Sequence, residues 1–209
     1  MKSIISALFI FLLFISPAAN ASSNNIDTRE LKKYTEDLID DGHVIFNNKT
    51  YSDAKRRQEF GALIRSHLYL SWMAKYSLGR HRRTMSKEKI SEFIEIYEQF
   101  VVKAYADLSS SYSGEKAMLK NIKQIDEDMF IVNIEVLRPG AQLPIKIDYL
   151  VHKIESNSED PYRISDIITE GVSILNSQQA EFNSVISSRG IDALITDLKT
   201  RAIKDKKIN

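Results

Sequence analysis

The sequence predicts an α+β fold with N-terminal helices, a curved antiparallel four-stranded sheet and C-terminal helices. In residues 26–108 the apolar side chains recur mainly at spacings of three, four and seven, the period of amphipathic helices. In residues 115–169 they alternate at every second position, as in half-buried strands. From residue 176 onward the apolar side chains again recur at the spacings of an amphipathic helix. Strands grouped between helices, rather than alternating with them, indicate an α+β architecture.

Each predicted element has its own local signal. Ser52 and Ser86 are hydroxyl residues placed to cap helices, and Gly79 and Gly190 are residues suited to end them. Pro139-Gly140 marks the turn between two central strands. These signals predict helices over 26–47, 53–68, 70–78, 86–108, 176–188 and 191–204. The strands are predicted over 115–125, 128–137, 145–154 and 162–169.

The first 21 residues have the pattern of a secretory signal peptide. A positive residue, Lys2, precedes an apolar run over 4–15, and Ala19-Asn20-Ala21 matches the small-residue cleavage pattern. The run is shorter than the roughly 20 residues that a membrane-spanning helix needs. We therefore expect cleavage after Ala21, export, and a single soluble domain over 22–209.

Composition narrows the class of protein further. The chain has no cysteine, so it has neither a disulfide framework nor a thiol nucleophile. With Lys2 removed, 28 basic residues balance 28 acidic ones. A formally neutral chain gives no support to a general nucleic-acid-binding role, and no nucleic-acid partner is expected.

The stretch "SDIITEGVSIL" is the strongest candidate for catalytic chemistry. Asp166, Glu170 and Ser173 lie within eight residues of one another, around Gly171. A catalytic serine needs a base within hydrogen-bond reach, and the histidines lie elsewhere in the sequence. The favoured interpretation is therefore a structural corner between the last strand and a helix, with no catalytic residues and no metal site.

The same stretch carries a family resemblance. "RISDIITEGVSIL" followed by "QQAEFNSVISSRGIDALITDLK" resembles the C-terminal signature of the MlaC, or toluene-tolerance, family. "YSLGRHRRTMSKEKISEF", "QFVVKAYADLSS" and "VNIEVLRPGAQLPIKIDYLV" resemble further segments of that family, in the expected order. The chain departs from the family at Tyr162, where tryptophan is common. It also departs in the run Arg80-His81-Arg82-Arg83, where the family often has an aromatic residue.

The resemblance implies a carrier rather than an enzyme. Members of the family are periplasmic phospholipid-binding proteins that move phospholipid between outer- and inner-membrane complexes and so maintain outer-membrane lipid asymmetry. The implied partners are an outer-membrane lipoprotein bound to a porin, and an inner-membrane ABC transporter with an MCE-domain subunit. Phospholipid would be the cargo, with no cofactor, and the protein is expected to act as a monomer.

A carrier of this kind needs an apolar cavity. The candidates for its walls are apolar or aromatic residues on the short helix, the long helix and two central strands: Trp72, Met73, Tyr76, Tyr97, Phe100, Val101, Tyr105, Val132, Ile134, Val136, Ile145, Ile147 and Tyr149. The alternative is that they form an ordinary filled core. An error of one residue in strand register would exchange the two faces of the sheet.

The basic residues Arg80, Arg82 and Arg83 are candidates for contact with a lipid headgroup or an acidic partner. The alternative is favourable charge on a solvated helix end. Two other functions stay open at this point. One is a small-cavity enzyme that uses Asp166 or Glu170 with Tyr149 or His152. The other is a structural adaptor with a filled core.

Overall fold

A computed structural model describes residues 23–154 and 161–203, with side chains from residue 28 onward. The predicted signal peptide over 1–21 lies outside these residues. The helices are α1 Ser23–Asn47, α2 Asp53–His67, α3 Leu70–Ser77, α4 Lys87–Leu108, α5 Ile174–Arg189 and α6 Ile191–Ile203. The strands are β1 Lys116–Asp126, β2 Met129–Leu137, β3 Ile145–Lys153, β4 Tyr162–Thr169 and β5 Val172–Ser173. Short 3-10 turns, Gly79–Thr84 and Ser109–Ser111, flank α4.

Three serines begin helices as their sequence positions predict. The Ser52 and Ser86 hydroxyls accept hydrogen bonds from the backbone N–H groups three residues later, at 3.2 Å. The Ser173 hydroxyl accepts from the N–H of Asn176 at 2.9 Å. Each bond satisfies a donor that would otherwise lack a partner in the first helical turn. The helix starts are therefore set by local chemistry that the sequence displays.

The strands form one antiparallel meander in the order β1-β2-β3-β4-β5. The fifth strand is a correction, because the sequence predicts four. Val172 and Ser173 pair back onto Thr169 and Ile168 across a two-residue turn. Glu170 and Gly171 at that turn both have positive φ, 50° and 81°, as tight hairpins require. A two-residue strand is too short to show any period in sequence.

The register of the central strands confirms the predicted faces. Val132, Ile134 and Val136 of β2 lie opposite Tyr149, Ile147 and Ile145 of β3. Directly opposed residues in an antiparallel pair point to the same side of the sheet. This side faces the helices and carries the buried residues of β2, among them Phe130 and Val132.

Helices α3 to α6 cover part of that face with a tightly packed core. Phe93 and Tyr97 of α4 and Phe182 of α5 are fully buried, and their rings meet with centroids 5.9 to 6.3 Å apart. Leu194 and Leu198 of α6 complete this cluster. Within the described residues no helix is both long and apolar enough to cross a membrane.

Helix α2 approaches α4 closely at Gly61. A Cβ atom added at Gly61 would lie 3.3 Å from Cγ1 of Val102 and 3.6 Å from Cβ of Ala106. Gly42 of α1 differs, because an added Cβ would meet nothing within 4 Å. The glycine at position 61 therefore sets the distance between the two helices.

We expect Gly61→Val to lower the free energy of unfolding by about 1–3 kcal/mol, because the added methyl groups would force α2 away from α4. The matched control is Gly42→Val, expected to change stability by less than about 0.5 kcal/mol in either direction. Chemical denaturation of both variants measures the difference. Equal losses at the two positions would show that helix packing at Gly61 is not the constraint.

Candidate functional site

The helical layer does not fill all the space over the sheet. A cavity of about 210 Å³ lies between α1, α2 and the sheet. Its sheet wall consists of Ala117, Val136, Tyr149, Ile164 and Ile167. Most of the side chains around it are aliphatic or aromatic, so the cavity suits an apolar ligand.

The opposite wall comes from two amphipathic helices. On α1 and α2 the contributing residues recur at helical spacings, and they are Leu38, Ile39, Gly42, Phe46, Phe60, Leu63 and Ile64. The sequence marks several of these as the apolar sides of helices, but not as cavity walls. Periodicity shows that a helix has an apolar face, and it does not show whether that face meets packed atoms or empty space.

Aromatic rings line one end of the cavity. The rings of Phe46 and Tyr112 stack with centroids 4.3 Å apart and planes at 14°. Phe46 also meets Phe60 at 4.9 Å. His43 and Glu115 lie at this same end. The Glu115 carboxylate accepts hydrogen bonds from the backbone N–H and hydroxyl of Ser113.

The other end lies where α2 joins α3. Leu68 pairs with Ile164 of β4 in an isolated bridge, and the N–H of Tyr69 donates to the Ile164 carbonyl at 2.8 Å. The Tyr34 hydroxyl of α1 lies 2.9 Å from Nδ1 of His67. The first half of α1 and the end of α2 are therefore attached to the sheet, while the second half of α1 lies over the cavity.

Three tyrosines, Tyr97, Tyr105 and Tyr149, lie in or against the core, and Tyr149 of these lines the cavity. Tyr97 donates its hydroxyl hydrogen to Oε1 of Gln178 at 2.7 Å. The hydroxyl of Tyr105 is buried without a hydrogen-bond partner in the described part of the chain. Burial raises the pKa of Tyr97, Tyr105 and Tyr149, because the charged phenolate would be poorly solvated there. All three are therefore neutral phenols at ordinary pH.

The family model described as MlaC protein matches residues 36–200. The chain belongs to the MlaC family.

One curated relative of this MlaC-family chain is the intermembrane phospholipid transport system binding protein MlaC of Haemophilus influenzae. It is 22% identical over 137 residues, a match that spans 65% of this chain and 63% of the relative, just under two thirds of its length. One solved structure is the phospholipid-binding protein from Ralstonia solanacearum in complex with a phospholipid. It has a TM-score of 0.64 and 18% identity, and the match covers 83% of this chain and 95% of that one. This likeness confirms the predicted α+β fold.

Only two of the predicted wall residues of this MlaC-family chain line the cavity, namely Val136 and Tyr149. Five others lie in the filled core with at most 2% of their surface exposed: Met73, Tyr97, Val101, Val132 and Ile134. Four are partly buried against that core: Trp72, Phe100, Tyr105 and Ile147. Ile145 is half-buried at the end of β3, and Tyr76 is exposed. Contact of these eleven with lipid stays a prediction.

The basic residues Arg80, Arg82 and Arg83 lie in the 3-10 turn Gly79–Thr84, which we call the basic segment. All three are exposed. The basic segment precedes α4, whereas Tyr112 at the aromatic end of the cavity follows it. Because α4 has 22 residues, these two places are about 33 Å apart along the helix.

The corner "SDIITEGVSIL" is held by hydrogen bonds within the chain. The Asp166 carboxylate accepts from the Ser173 hydroxyl at 2.5 Å and from the N–H groups of Ile167 and Leu175 at 2.8 and 3.0 Å. The Glu170 carboxylate accepts from the N–H of Lys146 at 2.7 Å. Asp166 thus joins β4 to the first turn of α5, which is the arrangement of a structural corner.

Tyr149 and His152, the two possible partners of a carboxylate in the alternative enzyme site, lie on different faces of the sheet. Tyr149 and His152 are three residues apart on β3, so their side chains point to opposite faces of the sheet. The His152 ring contacts Trp72 and Tyr69, with centroids 5.1 and 6.0 Å away. Among the described residues no cluster of histidine and carboxylate side chains could hold a metal ion.

We expect Asp166→Ala to lower the free energy of unfolding by about 2 kcal/mol or more, because it removes a buried acceptor shared by three donors. Urea denaturation at neutral pH measures this loss. Glu170→Ala is the control from the same corner, since its exposed carboxylate accepts one bond, and we expect a change below about 1 kcal/mol. A fully stable Asp166→Ala protein would contradict the structural role.

Proposed function

We propose that this chain is a periplasmic phospholipid-binding transfer protein that moves phospholipid between outer- and inner-membrane complexes and so maintains outer-membrane lipid asymmetry. The observation that carries the proposal is the apolar cavity between α1, α2 and the sheet in a chain of the MlaC family. The names of the relatives support it, because one is a phospholipid transport binding protein and the other binds a phospholipid. In this proposal residues 22–209 act as one domain, as a monomer, with phospholipid as cargo.

The energetics explain why a carrier is needed. Two acyl chains of ordinary length contain on the order of 30 methylene groups, and exposing each one to water costs about 0.8 kcal/mol. Unassisted passage through the periplasm would therefore cost about 25 kcal/mol. A protein that encloses most of the two chains removes this barrier without performing any chemistry.

The cavity is small for a cargo with two acyl chains. Its volume of about 210 Å³ exceeds the engineered cavity of ~150 Å³ that admits benzene. It is smaller than the ~300–1,000 Å³ of sites that enclose drug-sized ligands. Loading a phospholipid therefore requires the helical wall to move outward. The second half of α1 contacts Phe60 and Tyr112 through the ring of Phe46, and we expect this part of the wall to move.

The position of the basic segment favours a partner contact over a headgroup contact. The headgroup of a loaded lipid would lie at an opening of the cavity, and the basic segment lies about 33 Å along α4 from the aromatic end. It also lies one helix, α3, beyond Leu68 at the other end. We therefore assign Arg80, Arg82 and Arg83 to transient docking on an acidic face of a partner. By family resemblance the partners are the lipoprotein–porin complex and the MCE-domain transporter.

The first test is the lipid content of the protein. We expect residues 22–209, purified after export to a periplasm and without detergent, to carry phospholipid in roughly equimolar amount. Extraction with organic solvent followed by mass spectrometry measures it. We expect Ala117→Trp to reduce the bound lipid several-fold, because the indole would occupy the cavity beside the sheet.

The matched control is Met118→Trp. Met118 is the next residue of β1, it is 45% exposed, and it does not line the cavity. We expect this variant to retain lipid at the level of the unaltered protein. If the unaltered protein carries no lipid and takes none up from liposomes, the carrier function is wrong. If both variants retain lipid equally, the cargo is held elsewhere in the molecule.

A second test separates docking from cargo binding. We expect the triple variant Arg80→Glu, Arg82→Glu, Arg83→Glu to keep its lipid but to transfer it at least several-fold more slowly to membranes that contain the partner complex, because charge reversal slows association. The charge-conserving control replaces all three arginines with lysine and should transfer at near the normal rate. Loss of bound lipid in the glutamate variant would instead indicate a headgroup contact.

A further inference from the structure

Glu115 is the only residue with a carboxylate side chain on the cavity wall in the described part of the chain. It precedes β1 directly, at the aromatic end of the cavity. Ala117 lines the same cavity, whereas Lys116 between them is exposed and does not line it. Among the described residues no lysine or arginine lines the cavity or forms an ion pair with Glu115. An acidic group without a cationic partner in a mostly apolar wall indicates a place for a cation from outside the chain.

The Glu115 carboxylate is held in one position by the loop that precedes β1. Its Oε2 accepts a hydrogen bond from the N–H of Ser113 at 2.8 Å, and its Oε1 accepts from the Ser113 hydroxyl at 3.0 Å. The Tyr112 hydroxyl donates to the backbone carbonyl of Glu115 at 3.3 Å. Each carboxylate oxygen can accept two hydrogen bonds, so one acceptor position on each oxygen stays available to a ligand.

The same hydrogen bonds keep Glu115 ionised. Burial opposes the charged form of its carboxyl, but the bonds from Ser113 and from the neighbouring backbone outweigh burial and lower the pKa of Glu115. A carboxylate with a lowered pKa is negatively charged at neutral pH. The aromatic end of the cavity therefore carries a fixed negative charge.

The aromatic end is also where a polar headgroup would stay hydrated. His43, Tyr112 and Glu115 line the cavity there, and all three are partly exposed to solvent. At the other end of the cavity, Leu68 and Ile164 are only 4% and 3% exposed. A phospholipid in this cavity would therefore direct its acyl chains toward Leu68 and its headgroup toward Glu115.

We propose that Glu115 forms a headgroup subsite at the aromatic end of the cavity, which takes the ammonium group of an aminophospholipid such as phosphatidylethanolamine. This inference rests on the proposed function, since it names the headgroup that the carrier prefers. A primary ammonium group carries the opposite charge and donates three hydrogen bonds, which matches the two available acceptor positions of the carboxylate. A headgroup without an ammonium group gains no ion pair and brings only its negative phosphate to the same place.

The expected preference is small, because most of the binding free energy comes from the acyl chains. Burial of the chains contributes equally for every headgroup. Glu115 is partly exposed, so its ion pair has the strength of pairs near a protein surface. A well-oriented pair of this kind corresponds to about a 3- to 5-fold difference in affinity.

The test is a competition between two lipids that differ only in the ammonium group. Delipidated protein is loaded with a fluorescent phospholipid, which is displaced by phosphatidylethanolamine or by phosphatidylethanol with the same acyl chains. At low ionic strength we expect the unaltered protein to bind phosphatidylethanolamine about 3- to 5-fold more tightly. We expect Glu115→Gln to bind both lipids equally, because the amide keeps the size of the side chain and removes its charge.

Asp41→Asn is the matched control. Asp41 precedes Gly42 of the cavity wall on α1, but it is exposed and does not line the cavity. This variant removes the same charge from the helix over the cavity and should keep the full preference for phosphatidylethanolamine. An equal loss of preference in the Asp41 and Glu115 variants would indicate a general effect of net charge and would overturn the subsite.

A second measurement uses the unaltered protein alone, so it does not depend on the folding of a variant. The preference should shrink as sodium chloride is added, because salt screens a partly exposed ion pair. Equal binding of the two lipids at low salt, or a preference that salt leaves unchanged, overturns the subsite and leaves the carrier function intact. A preference that survives in Glu115→Gln also overturns the subsite. Failure of the unaltered protein to bind either lipid overturns the subsite and the carrier function together.

Discussion

The arrangement of the helical layer depends on the attachment of the α2–α3 junction to β4. Leu68 pairs with Ile164, and the N–H of Tyr69 donates to the carbonyl of Ile164. On one side of this attachment, α3 to α6 pack tightly against one another and the sheet. On the other side, α1 and α2 pass over the sheet without filling the space beneath them. One backbone contact therefore separates the filled part of the molecule from the hollow part.

The two parts have different energetic roles. The filled part contains the fully buried rings of Phe93, Tyr97 and Phe182, which supply the apolar burial that a chain without disulfides requires. The hollow part lacks the dispersion contacts that a filled core would give. Stability is thus concentrated away from the cavity. A binding site that must open and close fits this division, because its walls can move without disturbing the main core.

The position of Gly61 supports the same division into a filled and a hollow part. Gly61 lets α2 approach α4 closely, so α2 is supported by the packed part of the molecule. The second half of α1 meets its neighbours through ring contacts of Phe46 with Phe60 and Tyr112. The hydroxyl of Tyr34 holds only the first half of α1 beside His67. Movement of the wall is therefore expected to be greatest in the last three turns of α1.

Much of the fold could be predicted from the sequence because its signals are local. The period of two predicts where the strands lie and that Val132 and Tyr149 are on the same face of the sheet. The cap residue Ser86 predicts the start of α4. The fifth strand was missed because two residues have no period. The family followed from motifs in order along the chain, and the match over residues 36–200 confirms it.

The candidate site was predicted less well, for a physical reason. Periodicity identifies apolar faces, and both a filled core and a cavity need such faces. Val132 and Val136 therefore look alike in the sequence. In the structure Val132 lies in the core and Val136 lines the cavity. The part of the helix-covered face that stays hollow depends on how α1 and α2 are held away from the sheet. Contacts between residues far apart in the chain, such as Leu68 with Ile164, set that separation. The sequence by itself determined the helices, the four long strands, the corner at Asp166 and the family. Only the tertiary structure decided which apolar faces enclose empty space, because that depends on distances between elements far apart in the chain.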